Sequence, residues 1–296
     1  MRTMTFRATA AAAAVVLAGS LAACGGGDDS GSEPEVNTDA EFEAGTKMAE
    51  IQEAGTIKIG TKFDQPGFGL QNLEGVPEGF DVEVAKIVAG AMGVEPDSIE
   101  WVETTSDIRE SSIENEDVDM VVATYTINDE RKERISFAGP YYVAGQTLMT
   151  LADEDAISGP EDIASNPDMK VCSVTGSTPS VNIEEYLASP DQLVLFDVYD
   201  KCADALSNGQ VDIVTTDNVI LAGFVGESDG EFKLVGDTFT EEPYGIGIPK
   251  GDVAFCEFIN ETLAENEDAY TTAWEETAGQ VEGTEVPELP EADACS

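Results

Sequence analysis

The same alternation of strand and helix occurs twice along this chain, and it limits the fold more than any other feature. In the first run, Ile57-Lys58-Ile59-Gly60 alternates like a strand, and Phe80, Val84, Ile87, Val88 and Met92 then recur on one face at helical spacing. Ile99-Glu100-Trp101-Val102 reads as a second strand. A helix is predicted from Asp107, with Glu110 three residues on as its capping partner. The apolar run over 118–123 reads as a buried parallel strand. The second run has strands at 171–174, 193–196 and 211–214, with helices over 177–187 and 200–206 between them. Even the closing strands match, Val118-Asp119-Met120-Val121 against Val211-Asp212-Ile213-Val214. Such alternation gives parallel sheets with right-handed crossovers, so two runs predict an α/β protein of two lobes. A chain of 296 residues can give each lobe its own core.

Charge narrows the function. There are 60 acidic residues against 14 basic ones and no His. A surface this anionic argues against nucleic acid, which needs clustered Lys and Arg, and against docking on anionic lipid heads. Without His, Ser-His-Asp and Cys-His hydrolases are excluded, and the commonest zinc ligand is missing. Asp28-Asp29-Ser30-Gly31 lacks the spacing of a calcium loop, and no glycine-rich phosphate loop follows a strand. Neither a metal nor a cofactor is expected.

The chain ends carry their own signals. Arg2 and Arg7 precede an apolar stretch over 8–18 that is too short to span a bilayer, so 1–23 reads as a signal peptide. Leu21-Ala22-Ala23-Cys24 resembles the lipobox of bacterial lipoproteins, which implies a lipid on Cys24 and a protein exported and anchored to the outer face of the cell membrane. Residues 24–45 have few apolar side chains and read as a flexible tether, followed by a short helix over 46–54. Four other cysteines remain, an even number suited to disulfides outside the cell, with three possible connectivities. Residues 281–296 form an acidic tail too polar to bury much, which makes Cys295 odd unless a disulfide pins it.

Four blocks, in one order and spacing, resemble the bacterial extracellular solute-binding protein family 3, the polar amino-acid receptors of ABC importers. They are Gly79-Phe80-Asp81-Val82-Glu83-Val84-Ala85-Lys86-Ile87-Val88-Ala89; Thr124-Tyr125-Thr126-Ile127 with Arg131 and Phe137-Ala138-Gly139-Pro140-Tyr141; Gly176-Ser177-Thr178; and Val211-Asp212 with Asp217. Gly60-Thr61-Lys62-Phe63-Asp64-Gln65-Pro66-Gly67 and the segment 172–179 are closest to the actinobacterial glutamate-binding subgroup. The resemblance implies a periplasmic-binding-protein-like α/β fold, with two α/β lobes joined by a two-strand hinge and the ligand cleft between them. The first lobe would comprise 46–143 and 238–280, the second 144–237. The subgroup has cysteines at the positions of Cys172 and Cys202, which implies that they pair. Cys256 is then the partner left for Cys295.

A free amino acid buries an α-carboxylate and an α-ammonium, and both need partners. By resemblance, Arg131 is the carboxylate clamp, with Thr124, Thr126, Ser177 and Thr178 as donors beside it and Asp217 as the ammonium acceptor. Lys62 and Arg109 fall where receptors for acidic ligands carry cations, which implies an acidic amino acid, glutamate before aspartate or glutamine. Gln65 and Thr216 are further candidates for the pocket wall. Each has a plainer reading: Arg131 as a surface ion pair with Asp129, Glu130 or Glu133, Arg109 as a partner of Glu103 or Glu110, and Asp217 as the cap of the next helix. The expected partner is the permease of an ABC importer, with the protein a monomer and not an enzyme. The alternatives are an amino-acid sensor for a membrane signalling protein and, less favoured, a cyclic-acid dehydratase of the same fold.

Overall fold

The computed structural model describes residues 35–281 and 284–296. The signal peptide, Cys24 and the first part of the tether lie outside them. Two five-stranded sheets are built on one plan. In the first lobe, strand Ile57–Thr61 pairs in parallel with Ile99–Glu103 on one side and Met120–Val121 on the other. Glu242–Ile248 and Ser136–Ala144 complete that sheet in antiparallel register. In the second lobe, Val171–Val174 lies parallel to Leu193–Phe196 and Ile213–Asp217, and antiparallel strands Gln146–Leu151 and Phe232–Val235 follow. Each fourth strand is made by chain that has just crossed from the other lobe. One crossing runs through Gly145, between Ala144 and Gln146. The other runs over 236–241, where Phe239 N–H donates to Gln146 O at 2.9 Å.

Cores form where the apolar periodicity points. Helix Phe80–Ala91 buries Phe80, Val84, Ile87 and Val88, the face expected from its spacing. Around Phe80 gather Phe68, Tyr141, Tyr142, Tyr270 and Trp274, with Tyr142 stacked on Trp274 at 5.1 Å. The second lobe has a separate core around Cys172, Cys202, Leu206, Val214 and Leu221. Among the described residues two disulfides are present, Cys172–Cys202 and Cys256–Cys295, the expected pairing.

Several local expectations are corrected. The helix expected from Asp107 is Arg109–Glu114, and its N-cap, Ile108, makes no side-chain bond. Glu110 is no capping partner, because its carboxylate turns to Arg131, 3.3 Å away. The strand over 118–123 shrinks to Met120–Val121, since the chain soon turns sharply at Thr124, where φ is +44°. The helix expected over 177–187 is α-helical only at Thr178–Asn182, and Ile183–Tyr186 tightens into a 3-10 turn. The closing strand of the second run is Ile213–Asp217, two residues later than its pattern.

The two chain ends are also less free than their composition indicates. Residues 35–45 do not behave as a tether: Asn37 N–H donates to Gly90 O at 2.9 Å, and Phe42 packs edge-on against Phe258. One aromatic side chain and a few polar contacts, among them Gln52 Nε2 to Ala40 O, dock this segment. At the other end, Asp293 N–H bonds to Gly139 O, Ser136 Oγ bonds to Ser296 O, and Leu289 packs on the first core. The tail is therefore stitched along the first lobe by backbone bonds and a disulfide, which need little apolar surface.

Candidate functional site

Parallel strands present their C-terminal ends to one edge of a sheet, and open α/β proteins bind ligands there. The segments after Thr61, Glu103 and Val121 in the first lobe, and after Val174, Phe196 and Asp217 in the second, meet in one narrow cleft. Gln65, Ser106, Arg109, Thr124 and Thr126 line it from the first lobe. Ser177, Thr178, Tyr199, Thr216 and Asp217 line it from the second, with Pro179 and Ile220 as apolar neighbours.

The lobes are closed upon each other. Tyr199 N–H reaches Asp64 Oδ2 at 2.7 Å, and Arg131 Nη2 reaches Gly176 O at 3.1 Å. Gly176, with φ +77°, sits so close to Asp107 that a Cβ would come within 2.7 Å of its Cα. At Gly223 a Cβ would lie 2.4 Å from Pro66 O. Side chains at these two positions would hold the lobes apart.

Eight of the ten expected residues line this cleft; Lys62 and Arg131 stand just behind it. The Lys62 ammonium is buried and donates to Ser106 Oγ at 2.8 Å, so it reaches the cleft through that hydroxyl. Burial, together with the Arg109 charge, pulls its pKa down to about 7. Arg131 donates Nη1 to Thr126 O and Nη2 to Gly176 O, and its Nε lies 3.3 Å from Glu110 Oε1 as an ion pair. It is therefore a buried group rather than the surface ion pair of its plainer reading. Arg109 gives Nη1 to Ala123 O and lies 4.0 Å from the centre of the Tyr125 ring, with Arg131 at 5.1 Å. One aromatic ring thus supports two guanidinium groups.

Thr124 owes its strained turn to Asp81, whose buried carboxylate accepts Thr124 N–H at 2.6 Å and the Tyr141 hydroxyl at 2.6 Å. Burial raises the Asp81 pKa to about 7. The Thr124 hydroxyl lies 3.0 Å from Gln65 Oε1, which turns the Gln65 amide nitrogen toward the cleft. Ser177 caps helix Thr178–Asn182 through Ser180 N–H. Asp217 begins helix Asn218–Glu227 but makes no side-chain cap bond there. Its Oδ2 instead accepts the Tyr244 hydroxyl at 2.6 Å. Burial and the Glu242 charge push the Asp217 pKa up to about 7.

Buried polar atoms are nearly always paired. Here Gln65 Nε2, Arg109 Nε, Thr178 Oγ1, Tyr199 OH and Asp217 Oδ1 all lack a partner among the described residues, and all belong to this one cleft. Four can donate; the carboxylate oxygen accepts. Ser106 and Tyr199 were missed by the sequence reading. Both follow the outer parallel strand of their sheet, at the position equivalent to the expected residues, and that placement was the signal available.

Residues 57–273 match the model of the bacterial extracellular solute-binding proteins, family 3. The chain is 42% identical to the glutamate-binding protein GluB of Corynebacterium efficiens over 230 residues, covering 75% of this chain and 77% of that one. It is 38% identical to the ABC transporter glutamine-binding protein GlnH of Bacillus subtilis over 218 residues, covering 73% and 78%. Among solved structures, an ancestral arginine-binding protein bound to glutamine superposes with a TM-score of 0.69 at 32% identity, covering 75% of this chain and 97% of that one. Fold, cleft and sequence agree, and the chain belongs to the bacterial extracellular solute-binding proteins, family 3.

Proposed function

We propose that this protein captures glutamate in the cleft and delivers it to the permease of an ABC importer, as an exported, lipid-anchored receptor that performs no chemistry on its ligand. The observation that carries the reading is the polarity of the cleft. Arg109, with Lys62 behind Ser106, forms a cationic wall, and the free oxygen of Asp217 faces it across the lobes. In this assignment Asp217 Oδ1 accepts the α-ammonium. Thr126, Ser177 and Thr178 donate to the α-carboxylate, joined by the remaining protons of the Arg131 guanidinium. Arg109 and the Lys62–Ser106 pair receive the side-chain carboxylate. Thr124, Gln65 and Thr216 complete the wall. In a protein with 60 acidic and 14 basic residues, three buried cations at one site are a concentrated feature that favours an anionic ligand. Closure about the two crossings would bury the ligand and present a joint surface of both lobes to the permease.

Calorimetric titration with glutamate, aspartate, glutamine, asparagine and arginine, after unfolding and refolding to remove carried-over ligand, tests this. Glutamate is expected to bind most tightly and arginine weakly or not at all. Equal binding of glutamine and glutamate would overturn the charge reading of Lys62 and Arg109.

A further inference from the structure

The first N–H groups of a helix need acceptors from outside the helix. Helix Tyr199–Ser207 of the second lobe starts after Val198, whose side chain offers none. The acceptor comes from the other lobe: Asp64 Oδ2 takes Tyr199 N–H at 2.7 Å. Asp64 is 5% exposed, and its other oxygen has no partner among the described residues. A carboxylate at this position also meets the positive end of the helix. Successive residues of a strand point to opposite sides, and the two-residue strand Asp64–Gln65 uses both. Gln65 turns to the cleft while Asp64 turns to the opposite lobe.

Tyr199 sits at the junction of these effects. Its ring is buried, and its hydroxyl lines the cleft beside the hydroxyls of Ser173, Ser177 and Thr216, with no hydrogen bond of good geometry to any described residue. Burial, with the Asp217 charge, pushes its pKa up to about 12, so the hydroxyl remains a donor. The backbone bond to Asp64 fixes the residue that carries this donor.

Resting on the reading of the cleft as an amino-acid site, we propose that Asp64 is a positioning residue that latches the closed form, capping the second lobe's helix only when the lobes meet and so holding the Tyr199 hydroxyl against the ligand. When the lobes part, the carboxylate and the helix end return to water. The latch therefore forms after ligand encounter and acts on release rather than capture.

Stopped-flow rates test this, using whichever amino acid the parent protein binds most tightly, so that the ratio judges the latch even if that ligand is not glutamate. Asp64→Ala is expected to release ligand about 10- to 100-fold faster, with the association rate within about twofold of the parent and the ligand-free melting temperature unchanged. Asp64→Asn keeps an acceptor oxygen and is expected to recover most of the loss. Release from Asp64→Ala at the parent's rate would overturn the latch. So would a fall in ligand-free melting temperature equal to the fall with ligand bound, accompanied by no recovery in Asp64→Asn.

Discussion

The two lobes share a sheet plan but bring opposite chemistry to the cleft. From the first lobe come three buried cations, Lys62, Arg109 and Arg131. From the second come hydroxyls and a single carboxylate, Asp217. Topology places residues at the strand ends; it does not decide their charge. On the function proposed above, the lobes divide the labour: the first collects an anionic ligand and the second closes over its ammonium.

The strongest way to break that division is Arg131→Ala. It removes a cation of the first lobe together with the bond to Gly176 that ties it to the second. The variant should lose about 2–5 kcal/mol of affinity by calorimetry, and an affinity within twofold of the parent would remove Arg131 from the site. Asp217→Asn tests the second lobe's share. Shape is kept and charge is lost, with an expected cost of ~1.5–3 kcal/mol for glutamate, and an unchanged Kd would move the ammonium elsewhere. Lys62→Met sharpens the picture within the first lobe. Because Lys62 acts through Ser106, the variant should lose only about 1 kcal/mol of preference for glutamate over glutamine.

The smallest expected effect is on pH dependence. In the closed cleft Asp217 and Asp81 rise to about 7, so the folded chain holds more protons than the unfolded one between about 4 and 7. Stability from these groups falls as pH rises through that range. Lys62 falls to about 7, so the unfolded chain holds the extra proton between about 7 and 10.5, and stability rises with pH there. The closed form without ligand is thus least stable near neutrality. A ligand that restores partners to both signs of charge should raise the melting temperature most near pH 7, and less near pH 4.5 and 9.5. A ligand-induced shift that is flat across that range would refute the assignment.

Periodic elements were legible in the sequence. Helix Phe80–Ala91 was, because its apolar residues repeat at 3.6 and nothing distant competes. The run over 118–123 was overread as strand because apolar character reports burial, not ladder bonding, and residues 122–125 are buried without continuing the strand. Glu110 was misread because its partner, Arg131, is local only in three dimensions. The candidate site was largely legible through motif blocks whose residues lie at strand ends. Tyr199 and Ser106 escaped because nothing in their local sequence distinguishes them from ordinary turn and core residues. Nor did the sequence indicate that Arg131 would give both terminal nitrogens to backbone carbonyls and pair its Nε with Glu110.

The crossing plan has a consequence for the order in which the protein can be made. All five strands of the second sheet lie between Gln146 and Val235, with Cys172–Cys202 inside that span. The first sheet must wait for Glu242–Ile248, and its aromatic core must wait for Tyr270 and Trp274. A chain that emerges N-terminus first therefore completes its middle lobe before its first one. Until the last segment arrives, the surface of helix Phe80–Ala91 that will pack against Trp274 stays uncovered, and that interval is when the newly made protein is most open to proteolysis and self-association.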